Sequence, residues 1–177
     1  DEFARRYPDD PRPHLVMAFG YAKELRLEEL ERELAVVENG PWGATADDDE
    51  GRARALFLEA LRWLVADGRR AWARVERNLA RAVELDPRLE VAYFPLYGMR
   101  RWLDDPEGAR EALQAYRDVL RTRDPSVQIV DAQLDELAGD LQGAVDRLRA
   151  LRTEVGAEEF SALRGPRLLG RLLIQLY

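Results

Sequence analysis

A short apolar phrase recurs along this chain and leaves few folds open to it. In 107–125, EGAREALQAYRDVLRTRDP, Ala112, Tyr116 and Val119 stand at i, i+4 and i+7, with Leu113 and Leu120 beside them. Residues at that spacing share one face of an α-helix, and the Asp124-Pro125 pair stops it, because proline cannot continue the backbone ladder. The same phrase occupies 71–87, with Val75, Leu79 and Ala82 in the three slots and Asp86-Pro87 at the end. Looser copies lie at 139–151 (Ala144, Leu148, Leu151) and at 27–38 (Leu30, Leu34, Val37). A supersecondary unit written repeatedly implies stacked helical hairpins, each burying its stripe against its neighbours.

Turn residues divide the rest. They predict one domain over 1–177, with hairpins at 14–38, 51–85, 89–121 and 126–154 and terminal helices over 157–177. The first helix shows Leu15, Ala18, Phe19 and Ala22 on one face, and 51–67 shows Ala55, Leu58, Leu61 (or Arg62) and Val65, with Trp63 at the edge. Asp67-Gly68 and Gly139-Asp140 read as turns, and Ser126 reads as a helix cap. Pro95 lies inside an apolar helical pattern, so a kink near 91–95 or a helix starting at about 94 is expected. Pro106 suits a first helical position.

The least regular stretch is 39–50, NGPWGATADDDE. Asn39-Gly40 ends one helix, and Thr45, Asp47, Asp48 or Asp49 caps the next. Trp42 either folds back onto the first hairpin or stands out as an anchor for a partner. At the far end, RLLGRLLIQLY after Gly165-Pro166 aligns Leu168, Leu169, Leu172, Leu173 and Leu176, with Ile174 and Tyr177 widening the face. That face packs across the preceding hairpin or, as the alternative, forms a homodimer through 166–177.

Charge and composition exclude several functions. The net charge of −7 opposes nucleic acid as the main partner, since phosphate contacts need a basic face, and opposes an anionic membrane surface as well. No apolar run reaches the ~18 residues that span a bilayer, so no membrane insertion is expected. The absence of cysteine removes disulfides, thiolate metal sites and a cysteine nucleophile, and leaves the compartment open. Lys23 is the sole lysine among 27 basic residues, a bias expected of a GC-rich bacterial genome. The opening at Asp1 suggests a piece of a longer protein.

Catalytic chemistry finds little purchase. His14 is the single histidine, between Pro13 and Leu15, and reads as a capping or surface residue. Ser126 and Ser161 lack an evident base, and no phosphate loop or His-Glu-x-x-His element occurs. The DDDE run lacks the alternation of a calcium loop. The expectation is a protein that is not an enzyme, with no metal and no cofactor.

The phrase Ala112-Leu113-x-Ala115-Tyr116-x-x-Val119-Leu120, closed by Asp124-Pro125, resembles the second helix of a tetratricopeptide repeat. The copies at 71–87 and 139–151 share the pattern, with Pro87 closing the first; Ala18, Gly20-Tyr21, Ala60-Leu61, Ala92-Tyr93, Leu96 and Gly98 are thinner signs of first helices. Spacing departs from the family, since Pro87 and Pro125 are 38 residues apart. The resemblance implies an all-α, right-handed superhelix of antiparallel hairpins, a TPR-like α-solenoid. It implies that 51–67, 89–103 and 126–138 line a concave face, whose candidate residues are Arg62, Tyr97, Arg100, Arg101 and Gln133. Arginines there can clamp a carboxylate, and Tyr97 or Trp102 can anchor a peptide. The implied function is a protein- or peptide-binding scaffold. The alternatives are an accessory domain of a larger enzyme or sensor and a small-ligand receptor.

Overall fold

The structure, a computed structural model, describes residues 12–24, 26–40, 48–120, 124–163 and 165–176. Those residues are mostly helical, joined by short turns, with no strand among them. The order is α1 (Arg12–Lys23), α2 (Leu27–Asn39), α3 (Asp49–Asp67), α4 (Trp72–Leu85), α5 (Glu90–Trp102), α6 (Pro106–Val119), α7 (Ser126–Leu137), α8 (Leu141–Ala162) and α9 (Gly165–Leu176), with a 3-10 turn at Gly68–Ala71. The chain divides into two compact units, Asp1–Asp105 and Pro106–Tyr177, and the boundary falls inside the stretch read as the third hairpin.

In the first unit α1 packs on α2, α3 on α4 and α4 on α5, and α1 also meets α3 and α5. The repeated stripe does the burying: Leu30, Leu34 and Val37 on α2 and Val75, Leu79 and Ala82 on α4 are all sealed from solvent. Opposite them lie Leu15, Ala18 and Ala22 of α1 and Ala92, Leu96 and Met99 of α5. On α3 the buried face is Ala53, Phe57, Ala60, Leu61 and Leu64, with Leu58 beside it, while Ala55 is exposed. Of the expected face Leu58 and Leu61 are buried and Val65 is half-buried, while Ala55 falls outside it, because ARALFLEALRWLVA is apolar on nearly every side and periodicity alone admits two stripes.

Local chemistry sets the ends. Asp48 caps α3, its carboxylate accepting the Gly51 N–H at 2.6 Å, which satisfies a donor the helix leaves open. At Asp86-Pro87 and Asp124-Pro125 the aspartate also starts the following chain, accepting N–H groups of Arg88 (2.9 Å) and Ser126 (2.8 Å). Ser126 is the first residue of α7 and does not cap it; Pro125 stands at the cap position, with no side-chain cap bond. Helix α5 begins at Glu90 and runs through Pro95, so it does not wait for residue 94 to start. Tyr93, on its first turn, donates its hydroxyl to the Pro87 carbonyl at 3.0 Å.

In the second unit α7 packs on α6 and α8, and α8 on α9. Asp140 caps α8 through the Gly143 N–H at 2.9 Å. Ala132, Ala144, Val145, Leu148, Leu151, Phe160, Leu168 and Leu172 form one core cluster. The terminal leucines therefore pack within the chain. A corner makes this packing reachable: Gly156, at φ 84° and ψ 169°, interrupts α8 in a conformation that belongs to glycine. Past the corner, Phe160 lies against Gly165, where a Cβ would fall inside the phenyl ring.

Candidate functional site

The arginines expected to line a groove are already engaged. Arg62 on α3 forms two hydrogen bonds to Glu38 on α2, at 2.8 and 3.0 Å, with Glu31 3.5 Å away. The bonds from Glu38 raise the Arg62 pKa, burial opposes them, and the charges of Glu38 and Glu31 add to the rise. Arg100 on α5 donates to Glu76 on α4 at 3.0 Å, both side chains being mostly buried. The carboxylate these forks fit is supplied by the preceding helix.

Tyr97 is 4% exposed and so offers no ring to a passing peptide. Its hydroxyl accepts from Arg101 at 2.9 Å, and the Arg101 guanidinium lies 5.7 Å from the ring centroid. Arg101 itself is exposed. One residue further, Trp102 is 48% exposed and Leu103 is exposed as well. The Trp102 ring stacks on Trp72 with centroids 5.1 Å apart, and Arg69 sits 5.1 Å over the Trp72 ring. Tyr97, Arg100 and Arg101 are thus gathered with Trp72 and Trp102 around one end of α5.

The stack follows from the helix lengths. Trp72 opens α4 and Trp102 closes α5, so packing the two helices head to tail sets first against last. An aromatic pair of this geometry contributes about 0.5–1.5 kcal/mol beyond burial, so the exposed ring is held in place. The signal available in the sequence was the position of Trp72 at one helix end and that of Trp102 at the other.

Gln133 lies in the second unit, is 5% exposed, and its Oε1 accepts no hydrogen bond among the described residues. It is buried and does not line an open surface with the others. Around it on α7, Asp131 receives Arg117 at 2.5 Å, Asp135 receives Arg147 at 2.9 Å and Glu136 receives Arg171 at 2.8 Å. Trp42 lies outside the described residues. His14 ties α1 to α2 through a 2.7 Å hydrogen bond between Nδ1 and Glu33 Oε2, both side chains mostly buried, where a capping or surface histidine was expected. Among the described residues no three His, Cys, Asp or Glu side chains gather to hold a metal ion, and no helix is long and apolar enough to cross a membrane.

No family model matches the chain, and no curated protein sequence matches it.

Proposed function

We propose that this chain is a non-catalytic scaffold of tetratricopeptide-like hairpins that binds a protein or peptide at the exposed end of α5. The carrying observation is the Trp102–Trp72 stack, a half-exposed, pre-ordered aromatic surface edged by Arg69, Arg101 and Leu103. Tryptophan and arginine are the residue types that most often dominate binding energy, and a fixed ring loses little entropy on contact. The recurring buried stripe on α2, α4 and α8 supports the hairpin-repeat reading.

The test is a display selection of random peptides on the wild-type chain, re-measured on Trp102→Ala. Loss of about tenfold or more in affinity, with unchanged circular dichroism, is expected for removal of a central aromatic anchor. Peptides that bind both proteins equally overturn the assignment. Because Tyr97 is buried, Tyr97→Phe with Arg101→Ala is the companion variant. A homodimer through 166–177 is the second reading, favoured by Ile174, which is 82% exposed on α9. Light scattering on Ile174→Glu tests it, and an unchanged mass removes that face from consideration.

A further inference from the structure

Carboxylates satisfy Arg26, Arg62, Arg100, Arg117, Arg147 and Arg171. One run differs. Arg74 and Arg77 lie on the side of α4 turned away from the buried Val75, Leu79 and Ala82, and Arg70 lies in the 3-10 turn that leads into it. All three are exposed, and none meets a carboxylate among the described residues. Arg74 instead places its guanidinium 4.0 Å from the centroid of the half-buried Trp63 ring. Arg69, over Trp72, adds a fourth cation in the preceding turn.

This arrangement works against the helix that carries it. Like charges one turn apart repel. Cations at a helix start oppose its dipole, and the first turn of α4 holds no acidic residue to offset them. The run also stands in a chain whose net charge is −7. The repulsion is relieved when an anion lies along the stripe.

We propose that the outward stripe formed by Arg70 of the 3-10 turn with Arg74 and Arg77 of α4 binds an acidic segment of a partner protein. The inference rests on the scaffold reading and gives its partner a chemistry. Three guanidinium forks match carboxylates spaced along a peptide, and the Trp63 ring beneath Arg74 holds that guanidinium in place. A nucleic acid or an anionic membrane fits less well. Either extends past the stripe onto a surface of net negative charge, and repulsion there acts over roughly 8 Å at physiological salt.

Fluorescence anisotropy decides it, using a labelled peptide of repeated Glu-Glu-Leu, its Lys-Lys-Leu counterpart and an oligothymidylate of similar length. The acidic peptide binds the wild-type chain and is released by salt. The triple variant Arg70→Gln/Arg74→Gln/Arg77→Gln binds it about tenfold or more weakly. Its thermal midpoint is equal to or above that of the wild type, since the repulsion is gone. No binding to the wild type, equal binding to the triple variant, or tighter binding of the oligothymidylate each overturns the proposal. If the selected peptides ignore Trp102→Ala while the acidic peptide still needs the arginines, the tryptophan surface fails and the stripe stands. The reverse result removes the stripe and keeps the tryptophan surface.

Discussion

The two units fasten successive helices with the same kind of tie, in one polarity through the arginines of the first unit and in both through those of the second. In the first, an arginine on the later helix reaches a glutamate on the earlier one, Arg62 to Glu38 and Arg100 to Glu76. In the second, Arg147 on α8 reaches back to Asp135 on α7 in the same sense, whereas Arg117 on α6 reaches forward to Asp131 on α7. The geometry of the repeat fixes where a charge pair can form and is indifferent to which partner carries which sign. The aromatic residues divide as well. All four tryptophans lie before residue 106, whereas the second unit closes an aliphatic core around Phe160. The tryptophans are therefore concentrated in one unit, and tight closure of a chain corner in the other.

The largest test of this division is Phe57→Ala against Phe160→Ala. Each removes a ring with at most 2% exposure and costs about 3–5 kcal/mol. Hydrogen exchange then shows protection lost in the mutated unit first; equal loss along the whole chain breaks the comparison. Next come the corner glycines. Gly156→Ala forces a Cβ into a glycine conformation, and Gly165→Ala displaces the Phe160 ring, each for about 1–3 kcal/mol by denaturant unfolding. Neither change alters the Trp72–Trp102 surface, so peptide binding is retained while the second unit is weakened.

Tyr93→Phe removes one hydrogen bond, worth about 1 kcal/mol. Burial, then the charge of Asp86, raises the Tyr93 pKa above its ordinary value. Above about pH 10 the unfolded chain ionises this phenol while the folded chain still holds its proton. The corresponding stability is complete below the unfolded pKa and is lost as pH rises through the folded one. Thermal unfolding across alkaline pH should show a smaller loss in Tyr93→Phe than in the wild type. The smallest effect concerns the ties themselves. A double-mutant cycle at Arg100 and Glu76 should give a coupling of about 1 kcal/mol or less. The pair Arg117–Asp131 should couple more weakly and lose its coupling in high salt, because Arg117 is the more exposed arginine. Equal couplings would show that polarity and burial are both immaterial.

Much of the fold was legible because stripe and punctuation agree. Leu30, Leu34 and Val37, Val75, Leu79 and Ala82, and Ala144, Leu148 and Leu151 are all buried where the spacing places them. Gly68 and Gly139, both at positive φ, sit at the expected turns, whereas the break at Gly156, also at positive φ, carries no such signal in the sequence. In α6 the reading holds at Ala112, while Tyr116 and Val119 are half-buried. The site was harder to read. Whether Arg62 is free or paired depends on Glu38, 24 residues away, and only hairpin packing brings the two together. The Trp72–Trp102 stack spans 30 positions for the same reason. Sequence shows that arginines and tryptophans are present on these helices; tertiary contact decides which remain available.

The corner at Gly156 has a consequence for how this gene can change. Every other amino acid carries a Cβ, so any missense substitution at this codon meets the same backbone conflict, whatever its polarity or size. Selection there should look blind to side-chain chemistry, tolerating synonymous change and little else. At exposed neighbours such as Arg152 or Glu158, substitutions of many kinds should persist.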